Sequence, residues 1–240
     1  MFKTFVAPTM ALETGRSAPD IRYRVRIAPP VPSAVPVAAD PPFARAVDIV
    51  VALAALAFFA PLMLLIAAIV WQSGDPVLFR HKRLGKGGRT FSCLKFRTMH
   101  TDSDRILAEL LTNDPAARAE WARDHKLRRD PRISRIGAVL RKTSLDELPQ
   151  LFNVLAGTMS IVGPRPIVQA EAVRYGRYFG SYCRVRPGIT GLWQISGRNT
   201  TTYRRRVACD VAYVRGKSAK MDLQIMLRTV PAVIFRHGAF

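Results

Sequence analysis

Apolar positions along the chain change period several times, and each change marks an element. Ile49 to Trp71, IVVALAALAFFAPLMLLIAAIVW, runs 23 residues without a charge. As a straight helix it would reach roughly 35 Å, enough for a hydrocarbon core of about 30 Å. Pro61 stands almost at its centre, where it removes a backbone hydrogen bond and crowds the preceding turn. Two outcomes stay open: a kinked spanning helix, or a re-entrant one whose two ends share one membrane face. Next, GDP predicts a turn and VLF an extended run, and GKGGR predicts a second turn before the alternating TFSCLKF, so a hairpin is expected just outside the membrane.

Asp102 to Leu127 predicts a helix broken at Asn113-Asp114-Pro115, with Ile106, Leu107, Leu110 and Leu111 on its apolar face. After the DPRIS turn, RIGAVLRKT predicts a short helix with Ile136, Val139 and Leu140 inward. Ser144-Leu145-Asp146-Glu147 fits the S-x-x-E capping pattern and leads into the apolar face Leu148, Leu151, Phe152 and Leu155, with Pro149 in the first turn and Gly157 as the stop. Further on, PGITG and SGR read as tight turns around a short strand, LWQI, whose glycines suit close approach to a ligand or simply a turn. Tyr175 to Phe179 and Met221 to Ile234 are amphipathic and basic, as interfacial helices are.

Composition adds polarity to this picture. The formal net charge is +20, which calls for a large anionic partner: nucleic acid, an anionic membrane surface or phosphorylated substrates. Residues 1–48 carry six Lys/Arg against four Asp/Glu, whereas residues 72–240 carry 31 against 13, so the basic character lies after the apolar segment. Arg80, Lys82, Arg83, Lys86 and Arg89 place that end of the segment in the cytoplasm, while Arg45 is offset by Asp40 and Asp48. Residues 1–42, rich in Pro, Ala and Val, form a flexible or extended lead-in and a poor signal peptide. Cys93, Cys183 and Cys209 are too few and too widely spaced for a disulfide framework or a zinc site. The four histidines make no ligand pattern, and neither phosphate-loop fingerprint is present.

Candidate chemistry centres on Asp146 and Glu147. Acidic residues belong at a helix N-terminus, and capping alone would account for Glu147. Asp146 has no such explanation. The pair sits among few acids in a basic segment, next to Arg141 and Lys142, which keeps a carboxylate ionised as a nucleophile or metal ligand. Adjacent carboxylates cannot flank a sugar from opposite sides, but they can share a divalent cation with a phosphate. VGPRP follows, a rigid frame for an arginine suited to phosphate, and Lys95 and Arg97 in KFRTM could face the same site.

RKTSLDELPQLFNVLAGTMSIVGPRP, then VRPGITGLWQISGRN and CDVAYV, resemble the bacterial sugar transferase family. These are monotopic phosphoglycosyl transferases acting on polyprenyl phosphate. The resemblance runs from about Phe43 to Arg228 and fits the short, exopolysaccharide-type form. It implies transfer of a sugar 1-phosphate from a UDP-sugar, by analogy a hexose donor, to undecaprenyl phosphate with release of UMP. It implies Asp146 as the nucleophile of a phosphosugar–aspartate intermediate, Glu147 as its assistant, and a need for Mg²⁺. It also implies a re-entrant helix–break–helix at Pro61 with both ends cytoplasmic; the family's Ser-Pro break is Ala60-Pro61 here.

The expected fold is therefore α+β and mainly helical: a lead-in (1–42), a re-entrant membrane helix (43–72), and a small catalytic domain (73–240) with amphipathic interfacial helices. Lys95, Arg97, Arg165 and Arg198 are the expected phosphate contacts. Asp146 and Glu147 are the expected Mg²⁺ ligands, with Asp210 of CDVAYV a further one or an arginine's partner. Expected partners are the UDP-sugar, undecaprenyl phosphate and anionic lipids of the bacterial inner membrane, approached from the cytoplasmic face, and no nucleic acid. The oligomeric state stays open, a homodimer being one option. Two readings compete: a non-catalytic basic membrane adaptor, and a metal-dependent UDP-sugar hydrolase.

Overall fold

A computed structural model describes residues 41–124, 127–196 and 202–234. Its first element is a helix of 31 residues, α1 (Pro42–Gln72), and Pro61 lies inside it. The expected helix–break–helix is thus corrected at the level of the backbone: helix continues through the proline. Proline forfeits one hydrogen bond, and long apolar flanks that are already helical can absorb that loss by bending instead of unwinding. Among the described residues α1 is the helix long and apolar enough to cross a membrane, and only 17% of its most apolar window is buried, unlike the core helix of a soluble protein. Phe43, Val50, Leu53, Phe58, Leu64, Leu65 and Trp71 are exposed along it.

The expected hairpin is present. β1 (Leu78–Leu84) and β2 (Thr90–Phe96) pair antiparallel, with Phe79 opposite Lys95, His81 opposite Cys93 and Arg83 opposite Phe91. Those six residues share one face, because directly opposed residues do. α2 (Ser103–Asn113) and α3 (Pro115–Asp124) are separated at Asp114, as the Asn-Asp-Pro signal implies. α4 (Arg135–Thr143) starts at Ser134, whose Oγ accepts from Gly137 N at 3.0 Å. Leu140 is buried as expected, whereas Val139 is 53% exposed. α4 rests so tightly on the chain after β2 that a Cβ on Gly137 would lie 2.0 Å from Thr98 O.

α5 (Gln150–Leu155) is stitched to β2 by one side chain. Asn153 Oδ1 accepts from Leu94 N at 2.8 Å, and its Nδ2 donates to Ser92 O at 2.8 Å. β3 (Ser160–Val162) and β4 (Gly188–Thr190) form a short parallel pair. Between them lie α6 (Ala172–Tyr175) and α7 (Phe179–Tyr182). Tyr175, Phe179 and Tyr182 are buried together with Leu84, Ile167 and Val207, so the aromatic side of the stretch expected to be interfacial, Tyr175 to Phe179, packs into the core while Gly176 and Arg177 are exposed. Its aromatic residues find a hydrophobic cluster that periodicity could not reveal.

LWQI is α8 (Leu192–Ile195), a helical turn and not a strand. α9 (Tyr203–Gly216) is capped by Thr202, and α10 (Ala219–Ile234) closes the described chain. On α10, Leu223, Leu227 and Val230 are exposed at i, i+4 and i+7, one apolar stripe of the kind an interfacial helix presents. The main core joins α1 to the domain: Ala52 packs with Leu151, Val154, Met159 and Ile161. Nearer the other end of α1, Met63, Ile66 and Val70 pack with Phe96 and Leu140.

Candidate active site

Ser144 does not cap the following helix through its side chain. It is the left-handed residue that ends α4 (φ 60°, ψ 16°), with no side-chain capping bond. The chain reverses there into a 3₁₀ turn, Leu145–Glu147, before α5. That turn aims both carboxylates at Lys95 on β2. Lys95 Nζ donates to Asp146 Oδ2 at 3.2 Å and to Glu147 Oε1 at 2.6 Å. The capping explanation for Glu147 is withdrawn: its partners are cations, Lys95 and, at 3.8 Å, the Arg165 guanidinium.

The two acids differ in environment. Burial raises the Asp146 carboxyl above the usual aspartate range, with Lys95 opposing it and the Glu147 charge adding to it. Burial also acts on Glu147, but Lys95, Arg165 and Arg83 outweigh it and hold that carboxyl low. One buried oxyanion beside one firmly ionised neighbour, both facing a lysine, is a pairing suited to nucleophile and supporting charge.

A small cleft opens at this point, lined by Arg83, Lys95, Glu147, Gln150, Arg165 and Gln194 among others. Arg83 and the two glutamines were not foreseen. Arg83 donates to Pro166 O at 3.2 Å and lies 3.7 Å from Glu171. Strand parity could have found it, since Arg83 shares a hairpin face with Lys95 once the register is known. The glutamines carry no such signal. Arg97 goes elsewhere: its Nε donates to Pro76 O at 2.9 Å and its guanidinium lies over Phe79. Arg198 lies outside the described residues.

The glycines of PGITG serve backbone packing. A Cβ on Gly188 would meet Gly163 N at 2.0 Å, and one on Gly191 would meet Gly163 O at 2.2 Å. Without side chains at these positions, β4 can press against the Gly163-Pro164-Arg165 turn. Gly163 N donates to Thr190 O at 2.9 Å and Gly188 N to Pro164 O at 2.8 Å, which fixes the turn that carries Arg165.

Mg²⁺ fits the acidic pair in one respect that the structure shows. Two carboxylates converge on one cationic position, taken by Lys95, and hard oxygen donors of this kind hold Mg²⁺ when substrate phosphates and water complete the shell. Among the described residues there is no group of three or more His, Cys, Asp or Glu that would make a self-sufficient site. Asp210 does not join the pair. It is buried on α9, where Tyr175 Oη donates to its Oδ2 at 2.6 Å and Oδ1 has no hydrogen-bond partner among the described residues. The expectation of a third ligand is corrected: hydrophobic packing of α9 on the tyrosine cluster takes Asp210 into the core.

Burial pushes the Asp210 carboxyl up to about 7, against the opposing effects of the Tyr175 hydrogen bond and Arg206. The folded chain therefore keeps a proton that the unfolded chain releases near pH 4. The stabilisation this carboxyl contributes is complete below that range and is lost as pH rises through about 7. Melting of the purified chain in detergent is expected to fall from about pH 5 to about pH 8, and Asp210→Asn to flatten the decline. An unchanged slope in the variant would remove Asp210 as the cause.

Comparison with known proteins identifies the family. The family described as bacterial sugar transferase matches residues 40–236. The chain is 48% identical over 197 residues to the exopolysaccharide production protein ExoY of Sinorhizobium fredii, covering 82% of this chain and 87% of that protein. It is 48% identical over 196 residues to the undecaprenyl-phosphate galactose phosphotransferase of Salmonella typhimurium, covering 82% of this chain but only 41% of that protein. It is 42% identical over 205 residues to the UDP-glucose:undecaprenyl-phosphate glucose-1-phosphate transferase of Caulobacter vibrioides, covering 82% of this chain and 71% of that protein. With the family match spanning most of the chain, this chain belongs to the bacterial sugar transferase family.

Proposed function

We propose that the chain transfers a sugar 1-phosphate from a UDP-sugar to undecaprenyl phosphate and releases UMP, with Asp146 as the nucleophile. The observation that carries this reading is the buried Asp146 held with Glu147 on Lys95, beside a cleft with Arg83 and Arg165 on its wall. The Salmonella and Caulobacter relatives are named for galactose and for glucose 1-phosphate transfer, which supports a hexose donor. The Sinorhizobium relative is named for exopolysaccharide production, which supports a place at the start of surface-glycan assembly.

In the first step an Asp146 carboxylate oxygen bonds to the sugar-bearing phosphorus of the donor. The anhydride P–O bond breaks and its electron pair leaves with UMP. Arg165, Arg83 and Lys95 offset the negative charge that would otherwise keep a carboxylate away from a diphosphate. Mg²⁺, held by Asp146 and Glu147 together with the phosphates, would supply further charge neutralisation. In the second step a phosphate oxygen of undecaprenyl phosphate bonds to the same phosphorus and the aspartate leaves as a carboxylate. Two half-reactions let a soluble and a lipid substrate use one site in turn.

How α1 docks supports the membrane reading. Arg45 and Asp48 bind α5 and β3, and Met63, Ile66 and Val70 bind β2 and α4, all in the same domain. A helix crossing a bilayer would carry one of these contact regions through the hydrocarbon and away from the domain. This docking supports a topology with both ends of α1 on one face, re-entrant though helical throughout. The exposed α10 stripe and the basic surface rest on anionic lipid, on the cytoplasmic face of the inner membrane. Single cysteines placed before Pro41 and after Trp71, in a chain whose own cysteines are replaced, are expected to label from the same side. Labelling from opposite sides would reject the re-entrant topology.

The reaction is tested by UMP release from UDP-galactose and UDP-glucose with and without undecaprenyl phosphate. Release that depends on the lipid beyond a single turnover is expected. Equal multiple-turnover rates without lipid would point to a hydrolase, and no release from either donor would reject a hexose-specific transferase.

A further inference from the structure

One turn of the membrane helix reaches both halves of the site. The Arg45 guanidinium donates to Val154 O at 2.7 Å and to Leu155 O at 3.0 Å. Those carbonyls end α5, the helix whose start follows the Asp146–Glu147 turn. Three residues on, the buried Asp48 Oδ1 accepts from Ser160 Oγ at 2.8 Å and from Ile161 N at 2.9 Å. Those groups open β3, which runs into the turn carrying Arg165. Arg45 and Asp48 are themselves 4.0 Å apart.

A buried carboxylate on an otherwise apolar helix is costly unless it is matched, and here its matches are two hydrogen bonds to the strand that leads to the site. Apolar attachment of α1 at this level is already provided by Ala52, with Val51 and Ala55 beside it. What the charged pair adds is a fixed distance. The segments between the grips and the chemistry have little slack. α5 is one short helix bound to β2 through Asn153, and the Arg165 turn is held by Thr190 O, Gly188 N and the Arg83 guanidinium. A shift at either grip therefore moves the acidic turn relative to Arg165 and is not lost in a flexible loop.

We propose that Arg45 and Asp48 are positioning residues that set the approach of Arg165 to Glu147, 3.8 Å in this structure, and so tie the geometry of the site to the seating of the membrane helix. The kinetic consequence rests on the reaction proposed above; the structural consequence does not.

The test uses the full chain in vesicles of phosphatidylethanolamine and phosphatidylglycerol, as wild type, Asp48→Ala, Asp48→Asn and Arg45→Ala. Radiolabelled UDP-galactose or UDP-glucose loads the chain without acceptor, so the amplitude counts competent sites and the rate constant reports their geometry. Asp48→Ala is expected to slow loading per competent site about ten- to a hundredfold. Asp48→Asn, whose amide oxygen still accepts from Ile161 N and Ser160 Oγ, is expected to restore most of the rate. If the variants lose amplitude while the remaining sites load at the wild-type rate, the residues serve folding alone and the proposal is overturned.

Hydrogen exchange on the same samples decides the structural half whatever the substrate. Residues 160–167 are expected to exchange faster in Asp48→Ala, and residues 145–156 in Arg45→Ala. Unchanged exchange in both segments overturns the proposal. A wild type that never loads would reject the hexose-transfer reading and leave the exchange result to judge the clamp.

Discussion

Asp146→Asn is expected to abolish covalent loading and to reduce lipid-dependent UMP release by about 10⁴-fold or more, as loss of a nucleophile does in enzymes that form a covalent intermediate. The substitution replaces an oxyanion by an amide of the same size. Asp146 is only 8% exposed, so a larger or smaller side chain would disturb packing and confuse the result. Asparagine keeps the shape and can still accept from Lys95 Nζ, now 3.2 Å from Oδ2. What disappears is the negative charge that would make the oxygen a nucleophile toward phosphorus in the proposed first step. Mass spectrometry of the intact chain after incubation with donor alone should show the sugar-phosphate adduct in wild type and none in the variant. An adduct of normal yield in Asp146→Asn, or a residual rate within tenfold of wild type, would assign the nucleophile elsewhere.

Lys95→Met is expected to lower the rate of loading by about 10²- to 10³-fold, the range seen when a single preorganised charge stabiliser is removed. Methionine nearly matches the length of the lysine stem, so the hairpin should remain. The loss is electrostatic. Among the described residues Lys95 is the one group in ion-pair contact with both acids, at 3.2 Å and 2.6 Å, and without it Asp146 faces the Glu147 charge with more distant arginines to offset it. Two adjacent carboxylates in a half-buried turn repel each other and repel the donor diphosphate. Because the lysine acts on the developing charge, kcat should carry more of the change than KM. A loss below about threefold would make Lys95 an ordinary surface cation, since exposed ion pairs contribute less than about 1 kcal/mol.

Local patterns read well where local physics decides. Alternation in TFSCLKF, with glycines able to take positive φ at Gly87 and Gly88, is enough for the hairpin, and Asn-Asp-Pro is enough to part α2 from α3. The capping pattern at Ser144 read wrongly for a physical reason. S-x-x-E is a local preference of about 1 kcal/mol, whereas in the fold Glu147 binds Lys95 and Arg165, and Ser144 reverses the chain between α4 and the acidic turn. LWQI likewise turns helical because β4 must end at Gly191 against the Gly163 carbonyl, a contact made across 28 residues of sequence.

The sequence by itself determined that a charge-free apolar segment precedes a basic domain, that Asp146 and Glu147 stand out in it, and that a proline-framed Arg165 follows. Those are properties of residue type and order, and they survive any folding. Only the tertiary structure decided which cations meet the acids. Lys95 is 51 residues from Asp146, and it reaches the pair because Asn153 stitches α5 to β2. It also decided that Arg83 joins the cleft while Arg97 and Asp210 leave it, and that α1 stays helical through Pro61 with both ends on the domain. Contacts of that span are chosen by how the hydrophobic clusters close, and apart from the strand parity of Arg83 no periodicity or spacing along the chain encodes that choice.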